Sequence, residues 1–506
     1  MIRIAKKMRL KKVLEKAREE GEALTFDNVG LITGYSEVMP DQVLVDSRFS
    51  RKVGLKIPIA SAAMDTVTEY RLAIELAKLG GIGVIHRSLS PEEQASQVAR
   101  VKHHLNGLIE RPVCVFEDET ISSILLKREE KGYSFHSFPV LSRAGKLVGL
   151  VTGNDFEFCD NLSLTAKEIM SIELLSAPEG ITISGAYDLM RKEKKKILPL
   201  VNQTGEIAGM YVFSDVKRIK TGSAENYNLD LKGQLRVAAA VGTGQEALER
   251  VARLFEKNVD VIVIDTAHGD SKLVLETLQQ IKKDYSLDVV VGNISVGESA
   301  KRLVAAGADG IKVGQGPGSI CTTRPIAGIG RPQLSAVYDC ARAIEDSDVP
   351  ICADGGLRYS GDIPKAIAAG AHSVMMGNML AGTEEAPGII ISVDGRQWKS
   401  YRGMGSLSAL ESSRSSRERY LQAQTEKNHL VPEGVEGLTP YKGKLSEIIV
   451  QYEGGLRKGM GYVGAASIEE LREKGDFDRI TSAGYSESHP HGIVMTKDAP
   501  NYKRSS

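Results

Sequence analysis

Short, mostly apolar runs rich in Val, Ile and Ala recur along the chain at 58–62, 82–85, 235–241, 259–265, 287–291, 310–313, 349–353 and 373–376. Each is closed by glycine or polar residues. An apolar run of this length without alternation predicts a strand buried on both faces. Between the runs lie stretches such as 245–257, whose apolar positions recur every three or four residues and predict amphipathic helices. Eight strands alternating with helices point to an α/β fold, a (β/α)8 TIM barrel. The competing open, doubly wound sheet lacks its dinucleotide fingerprint, a G-x-G-x-x-G opening a helix with an acidic residue about 20 positions on.

Between the second and third runs, residues 110–221 are far too many for a βα loop. They contain a repeat at an offset of 60 residues: Phe138-Pro-Val140 returns as Leu198-Pro-Leu200, Gly145 as Gly205, Gly149 as Gly209 and Asp155 as Asp215. Two copies of one small unit predict a pseudo-symmetric pair. The pattern of apolar-Pro-apolar, a glycine turn and Gly149-Leu-Val-Thr-Gly-Asn-Asp155 resembles tandem CBS domains, modules that in many proteins bind adenine nucleotides. The expected division is a first barrel part at 1–109, a tandem CBS insert at 110–221 and the rest of the barrel at 222–506.

Composition narrows the partners. Lys+Arg and Asp+Glu balance at 65 each, which leaves no global charge to attract nucleic acid or an anionic membrane. Five scattered cysteines without a C-x-x-C argue against a disulfide framework or a structural zinc site and for a reducing, cytoplasmic setting. No apolar run is long enough to span a bilayer. The N-terminal 20 residues cluster Lys6, Lys7, Arg9, Lys11 and Lys12 in a helix-prone segment, expected to be a solvated extension.

The chemistry concentrates at the strand ends. The sixth run leads into Gly314-Gln-Gly-Pro-Gly-Ser-Ile-Cys-Thr-Thr-Arg324, a glycine-rich loop that delivers Cys321 among hydroxyls and a guanidinium. An isolated intracellular cysteine is usually a small buried hydrophobe. A structural turn, however, does not need three glycines, a proline, Ser319, Thr322, Thr323 and Arg324 around one thiol. Cys321 is the candidate nucleophile. After the seventh and eighth runs come Asp354-Gly355-Gly356 and Gly377-Asn378, where barrels commonly hold phosphate on exposed backbone N–H groups. Asp354 suits a ribose diol, and Tyr401-Arg402-Gly403-Met404-Gly405 offers backbone groups to a flat base. After the fourth run, Asp265 is placed for a second ribose. His268 has no second histidine at ligand spacing and fits a loop hydrogen bond. Residues 406–437 are serine-rich and charged, end in Pro432-Glu-Gly-Val-Glu-Gly437, carry Arg419-Tyr420, and predict a mobile flap.

With 61–69, 80–86, the Cys321 loop, 354–356, 401–407, Arg419-Tyr420 and 433–437 in this order, the chain resembles the IMP dehydrogenase family over nearly its full length. The resemblance implies NAD-dependent oxidation of IMP to XMP on the path to guanine nucleotides, in a homotetramer using potassium. Cys321 would form a thioimidate at carbon 2 of the base, and Arg419, helped by Tyr420, would activate the water that hydrolyses it. An arginine at its ordinary pKa is neutral in only about one molecule in 10⁶ at pH 7, so the step needs a perturbed site or a relay, for which Thr323 is the nearest candidate. By the same resemblance Ser319, Asp354, Gly355, Gly356, Gly377, Asn378, Tyr401, Arg402, Gly403, Met404, Gly405 and Glu433 bind IMP, while Asp265, Gly314, Gln315 and Gly316 bind NAD. Carbonyls of Gly316, Gly318 and Cys321, with Glu487, Ser488 and His489 of a neighbouring subunit, would hold potassium; the 60-residue repeat and the Gly149–Asp155 motif raise the expectation that adenine or guanine nucleotides bind the insert as regulators. Gln315 and Asn378 depart from the family's usual apolar residue and serine. GMP reductase, a related barrel without need of a hydrolytic flap, is the rival; a catalytically dead nucleotide sensor is the other.

Overall fold

The computed structural model describes residues 10–104, 108, 109, 112–130, 133, 135–221, 225–496, 499, 501 and 502. Eight parallel strands close into a barrel: β1 (Ile59–Ser61), β2 (Ile82–Ile85), β3 (Val237–Val241), β4 (Val261–Asp265), β5 (Asp288–Ile294), β6 (Gly310–Val313), β7 (Ile351–Asp354) and β8 (Ser373–Met376). All eight apolar runs of the sequence are barrel strands. Alternate residues of several strands, Ile82 and Val84, Ala238 and Ala240, Val261 and Val263, meet in the interior cluster, as the two-residue period of a strand requires. Their neighbours are equally buried beneath the outer helices, which is why the runs do not alternate with polar residues. The helix anticipated at 245–257 forms at Gly244–Glu256, burying Ala247, Val251 and Leu254 along one stripe.

Residues 103–225 and 229–234 form a second compact unit, reaching a few residues beyond 110–221 at either end. Its repeat is structural as well as sequential. Phe138–Leu141 pairs antiparallel with Leu147–Val151, and Ile197–Val201 with Ile207–Val212, each with a register shift before its last pair. Two apolar clusters, around Val140 and around Leu200, back the two hairpins. None of the candidate site residues falls in this unit.

The N-terminal expectation is corrected. Lys6, Lys7 and Arg9 lie outside the described residues, but Lys11 is fully buried, not solvated. Its ammonium donates to the carbonyls of Arg472 at 2.9 Å and Glu473 at 3.3 Å, and to that of Gly475, at the end of helix Ile468–Lys474. Unpaired carbonyls at a helix C-terminus favour a cation, and Leu14 and Ala17 of helix Lys12–Glu19 bury the rest of that face. Among the described residues no helix is long and apolar enough to cross a membrane.

Candidate active site

The loop after β6 carries Cys321 to the carboxyl end of the barrel. The thiol is half-buried and donates to Thr323 Oγ1 at 3.2 Å. The loop is clamped to the end of the flap segment: Thr322 N–H donates to Glu433 O at 2.9 Å and Val435 N–H to Ile320 O at 2.9 Å, making a short antiparallel bridge between Cys321 and Gly434. Gly355 and Gly356 both take positive φ, +85° and +80°, so the chain leaving β7 can turn tightly against Pro317 of the loop.

Below the loop sits a charged group inside the barrel. Lys312, 2% exposed, points inward from β6 and reaches Asp265 Oδ1 at 2.9 Å, Asp354 Oδ2 at 2.6 Å and Asn293 Oδ1. Asn293 Nδ2 donates to Asp354 Oδ2 at 2.9 Å. Sequence reasoning chose Asp265 and Asp354 and passed over Lys312. The signal was present: a lone charge inside an apolar barrel strand must find buried partners.

The flap is docked. The Arg419 guanidinium pairs with Asp265 Oδ2, and Ala267 N–H donates to Arg419 O at 3.2 Å. Asp265, anticipated as a ribose ligand, is therefore shared between Lys312 and Arg419 in this conformation. Glu418, one residue earlier on helix Arg414–Arg419, faces the buried Arg87 at 3.4 Å. Burial, reinforced by the nearby Arg419 charge, lowers the Arg87 pKa to about 10. Burial likewise lowers the Arg419 pKa from its ordinary value, with Tyr420 pulling the other way, and raises that of the Tyr420 phenol. The Tyr420 ring lies over Gly405, where a Cβ would come within 2.6 Å of it, so Gly405 is the space the ring needs.

Cys321, Thr323, Arg419, Tyr420, Asp354, Gly355, Tyr401, Gly403, Met404 and Glu433 line one cavity of about 430 Å³, together with Gly314, Gln315, Gly316 and Gly318. Gly377 closes beside it, its α-carbon facing the Tyr401 hydroxyl and Met64. Burial pushes the Tyr401 phenol well above its usual pKa, with Ser319 hydrogen-bonded to it. Gly356 packs against Pro317 and Gln333, and Asn378 opens helix Asn378–Ala381. The Arg402 side chain takes another direction. On strand Arg396–Arg402 its side chain alternates with that of Tyr401, so it leaves the cavity and is held by Asp65 at 2.6 Å. Gln315 braces the loop from inside, accepting from Ser295 at 2.6 Å and donating to Ala267 O at 3.1 Å, with His268 Nδ1 at 3.3 Å.

Among the described residues no group of three or more His, Cys, Asp or Glu side chains could hold a metal. A cation at the loop would rest on the carbonyls of Gly316, Gly318 and Cys321, hard oxygens suited to an alkali ion. Within this chain His489 packs instead on Tyr359, Tyr485 and Tyr502, with Glu487 and Ser488 beside it at the end of helix Ser482–Glu487.

A closed barrel whose strand-end cavity is lined by the Cys321 thiol, the Asp354 carboxylate and Arg419-Tyr420 defines a (β/α)8-barrel enzyme. The family model for the IMP dehydrogenase / GMP reductase domain matches residues 23–491, and the chain belongs to that family. It is 51% identical to the inosine-5'-monophosphate dehydrogenase of Aquifex aeolicus over 97% of this chain and 99% of that one. With the enzyme of the same name from Bacillus subtilis the identity is 44%, over 95% and 98%. A crystal structure of a GMP reductase variant from Trypanosoma brucei, in complex with guanosine 5'-monophosphate, superposes with a TM-score of 0.84 at 40% identity, covering 93% of this chain and 98% of that one. That coverage leaves no room for loss of the whole insert, so the insert does not separate the two activities.

Proposed function

We propose that this chain is an IMP dehydrogenase that oxidises IMP to XMP with NAD. The observation that carries the proposal is the meeting of Cys321, Thr323 and the Arg419-Tyr420 flap on one cavity. Carbon 2 of hypoxanthine, between two nitrogens, is electrophilic, and the Cys321 thiolate adds to it. NAD supplies the acceptor for the hydride leaving that carbon. A thioimidate remains on Cys321. Water then adds to carbon 2, the C–S bond breaks, and the thiolate is regenerated. The water's proton passes to Arg419, directly or through Thr323; burial of the guanidinium works toward the neutral form that accepts it, against Tyr420 and the Asp265 carboxylate, which favour the cation. Asp354 and the Gly355-Gly356 turn hold the ribose and phosphate of IMP; Asp265 takes the dinucleotide ribose when the flap is out.

The same reading assigns potassium to the carbonyls of Gly316, Gly318 and Cys321, completed by Glu487, Ser488 and His489 of a neighbouring subunit in a homotetramer. The unit at 103–225 is read as a tandem CBS pair that takes adenine or guanine nucleotides as regulators, in a cytoplasmic enzyme. A reductase reading draws on the likeness to the Trypanosoma brucei GMP reductase. A deaminating reduction gives a water-activating flap no task, and the flap here is complete. Incubation with IMP, NAD and potassium tests the choice: NADH and XMP in equal amounts support the dehydrogenase, whereas NADPH oxidation with GMP and no NADH from IMP would establish the reductase.

A further inference from the structure

We infer that Lys312 is a positioning residue for both nucleotide sites, taking one oxygen from each of Asp354 and Asp265 and thereby presenting the other oxygen of each to a ligand. The inference rests on the dehydrogenase reading above. Asp265, Gly292, Lys312 and Cys352 lie on one rung across β4 to β7, and Asp354 stands two residues beyond Cys352 on the same face. Lys312 and the two carboxylates therefore converge from β6, β4 and β7 at the top of the barrel.

An ammonium has three N–H donors. Two of those of Lys312 go to Asp354 Oδ2 and Asn293 Oδ1, and the ammonium also lies in ion-pair contact with Asp265 Oδ1 at 2.9 Å. Asn293 Nδ2 also lands on Asp354 Oδ2. The protein thus loads one oxygen of Asp354 and leaves Oδ1 for a ribose hydroxyl at the cavity wall. At Asp265 the other oxygen, Oδ2, is held by Arg419. When the flap leaves, that oxygen passes to the dinucleotide ribose, while Lys312 keeps Oδ1. The lysine is the constant partner and Arg419 the exchangeable one. Without Lys312, Asp265 would belong to Arg419 alone and the docked flap would be harder for a dinucleotide to displace, while Asp354 would lose the contact that aims it.

Lys312→Met and Lys312→Gln, checked for folding by circular dichroism, test this in the full-length enzyme. Calorimetric titration with IMP should show affinity weakened tenfold or more, and initial rates should show KM for NAD raised at least as much. In a cycle with Asp265→Asn, the double variant should raise KM for NAD by clearly less than the product of the single effects, because both changes act on one carboxylate. A folded Lys312 variant with IMP affinity and KM for NAD within twofold of wild type overturns the inference, as does a cycle whose effects multiply. Wild-type protein that binds IMP but yields no NADH refutes the proposed reaction and leaves the IMP titration to decide on Lys312; wild type that does not bind IMP overturns both. If neither variant folds, a crystal structure of the wild type with IMP decides: Lys312 Nζ retained on both carboxylates with the ribose on Asp354 supports the inference, and an ammonium displaced from either one overturns it.

Discussion

Replacing Arg419 by Ala separates the two halves of the proposed reaction. The guanidinium is docked on Asp265, and its removal does not leave that carboxylate alone, because Lys312 remains 2.9 Å from the other oxygen. The penalty of about 3–5 kcal/mol for breaking a buried pair and stranding a charge is thereby avoided, and the variant should fold and melt close to wild type. The groups around the attacking thiol are also untouched: Thr323 stays at 3.2 Å, and Asp354 keeps Lys312 and Asn293. Formation of the thioimidate should change by no more than a few-fold. Hydrolysis loses its base, a loss of about 10²–10⁴-fold where a positioned general base is removed. Rapid mixing of the variant with saturating IMP and NAD should give a burst of NADH equal to the active sites, then a steady rate lower by that factor. Because Arg419 and the dinucleotide use the same carboxylate, KM for NAD should not rise. A first turnover slowed as much as the steady state would refute the assignment of Arg419 to the second step.

Cys321→Ser should abolish turnover while calorimetry finds IMP affinity within a few-fold of wild type, since the thiol supplies the bond and not most of the binding; measurable steady-state activity would remove the nucleophile. Steady-state turnover should rise with pH, because water activation needs the deprotonated guanidinium, whose pKa burial lowers from its ordinary value. The Arg419→Ala profile should be flat in the same range. Deleting residues 103–225 should preserve IMP oxidation, as every candidate site residue belongs to the barrel unit; loss of oxidation in a well-folded deletion would show that the insert helps build the site. Lys11→Met should cost about 1–3 kcal/mol in denaturant unfolding, because it uncovers helix-end carbonyls that now accept from a buried ammonium; an unchanged midpoint would contradict that role.

The barrel was legible because a strand buried on both faces writes itself as a mostly apolar run without regular polar alternation, and all eight runs closed into it. The insert's duplication was legible because its two hairpins use the same turn chemistry at a fixed offset. Cys321, Asp354 and Asp265 could be found because site residues follow strand ends. What the chain did not disclose locally were partnerships made across strands. Lys312 sits inside a run that reads simply as apolar, and its partners are 47, 19 and 42 residues away, at Asp265, Asn293 and Asp354. Lys11 looked solvated because a basic helix start gives no hint of carbonyls at the far end of the chain. Arg402 shared a motif with Tyr401, but the strand's alternation sends neighbouring side chains to opposite faces, which a motif read as a unit hides.

The central claim, a Cys321-dependent oxidation of IMP completed by hydrolysis beneath the flap, is tested most directly by mixing the full-length protein with IMP, NAD and potassium and following NADH and the purine product together. The account predicts NADH and XMP in equal amounts, with a covalent adduct of IMP on Cys321 trapped by acid quench during turnover. No NADH from IMP, or XMP formed without any adduct on Cys321, would contradict it.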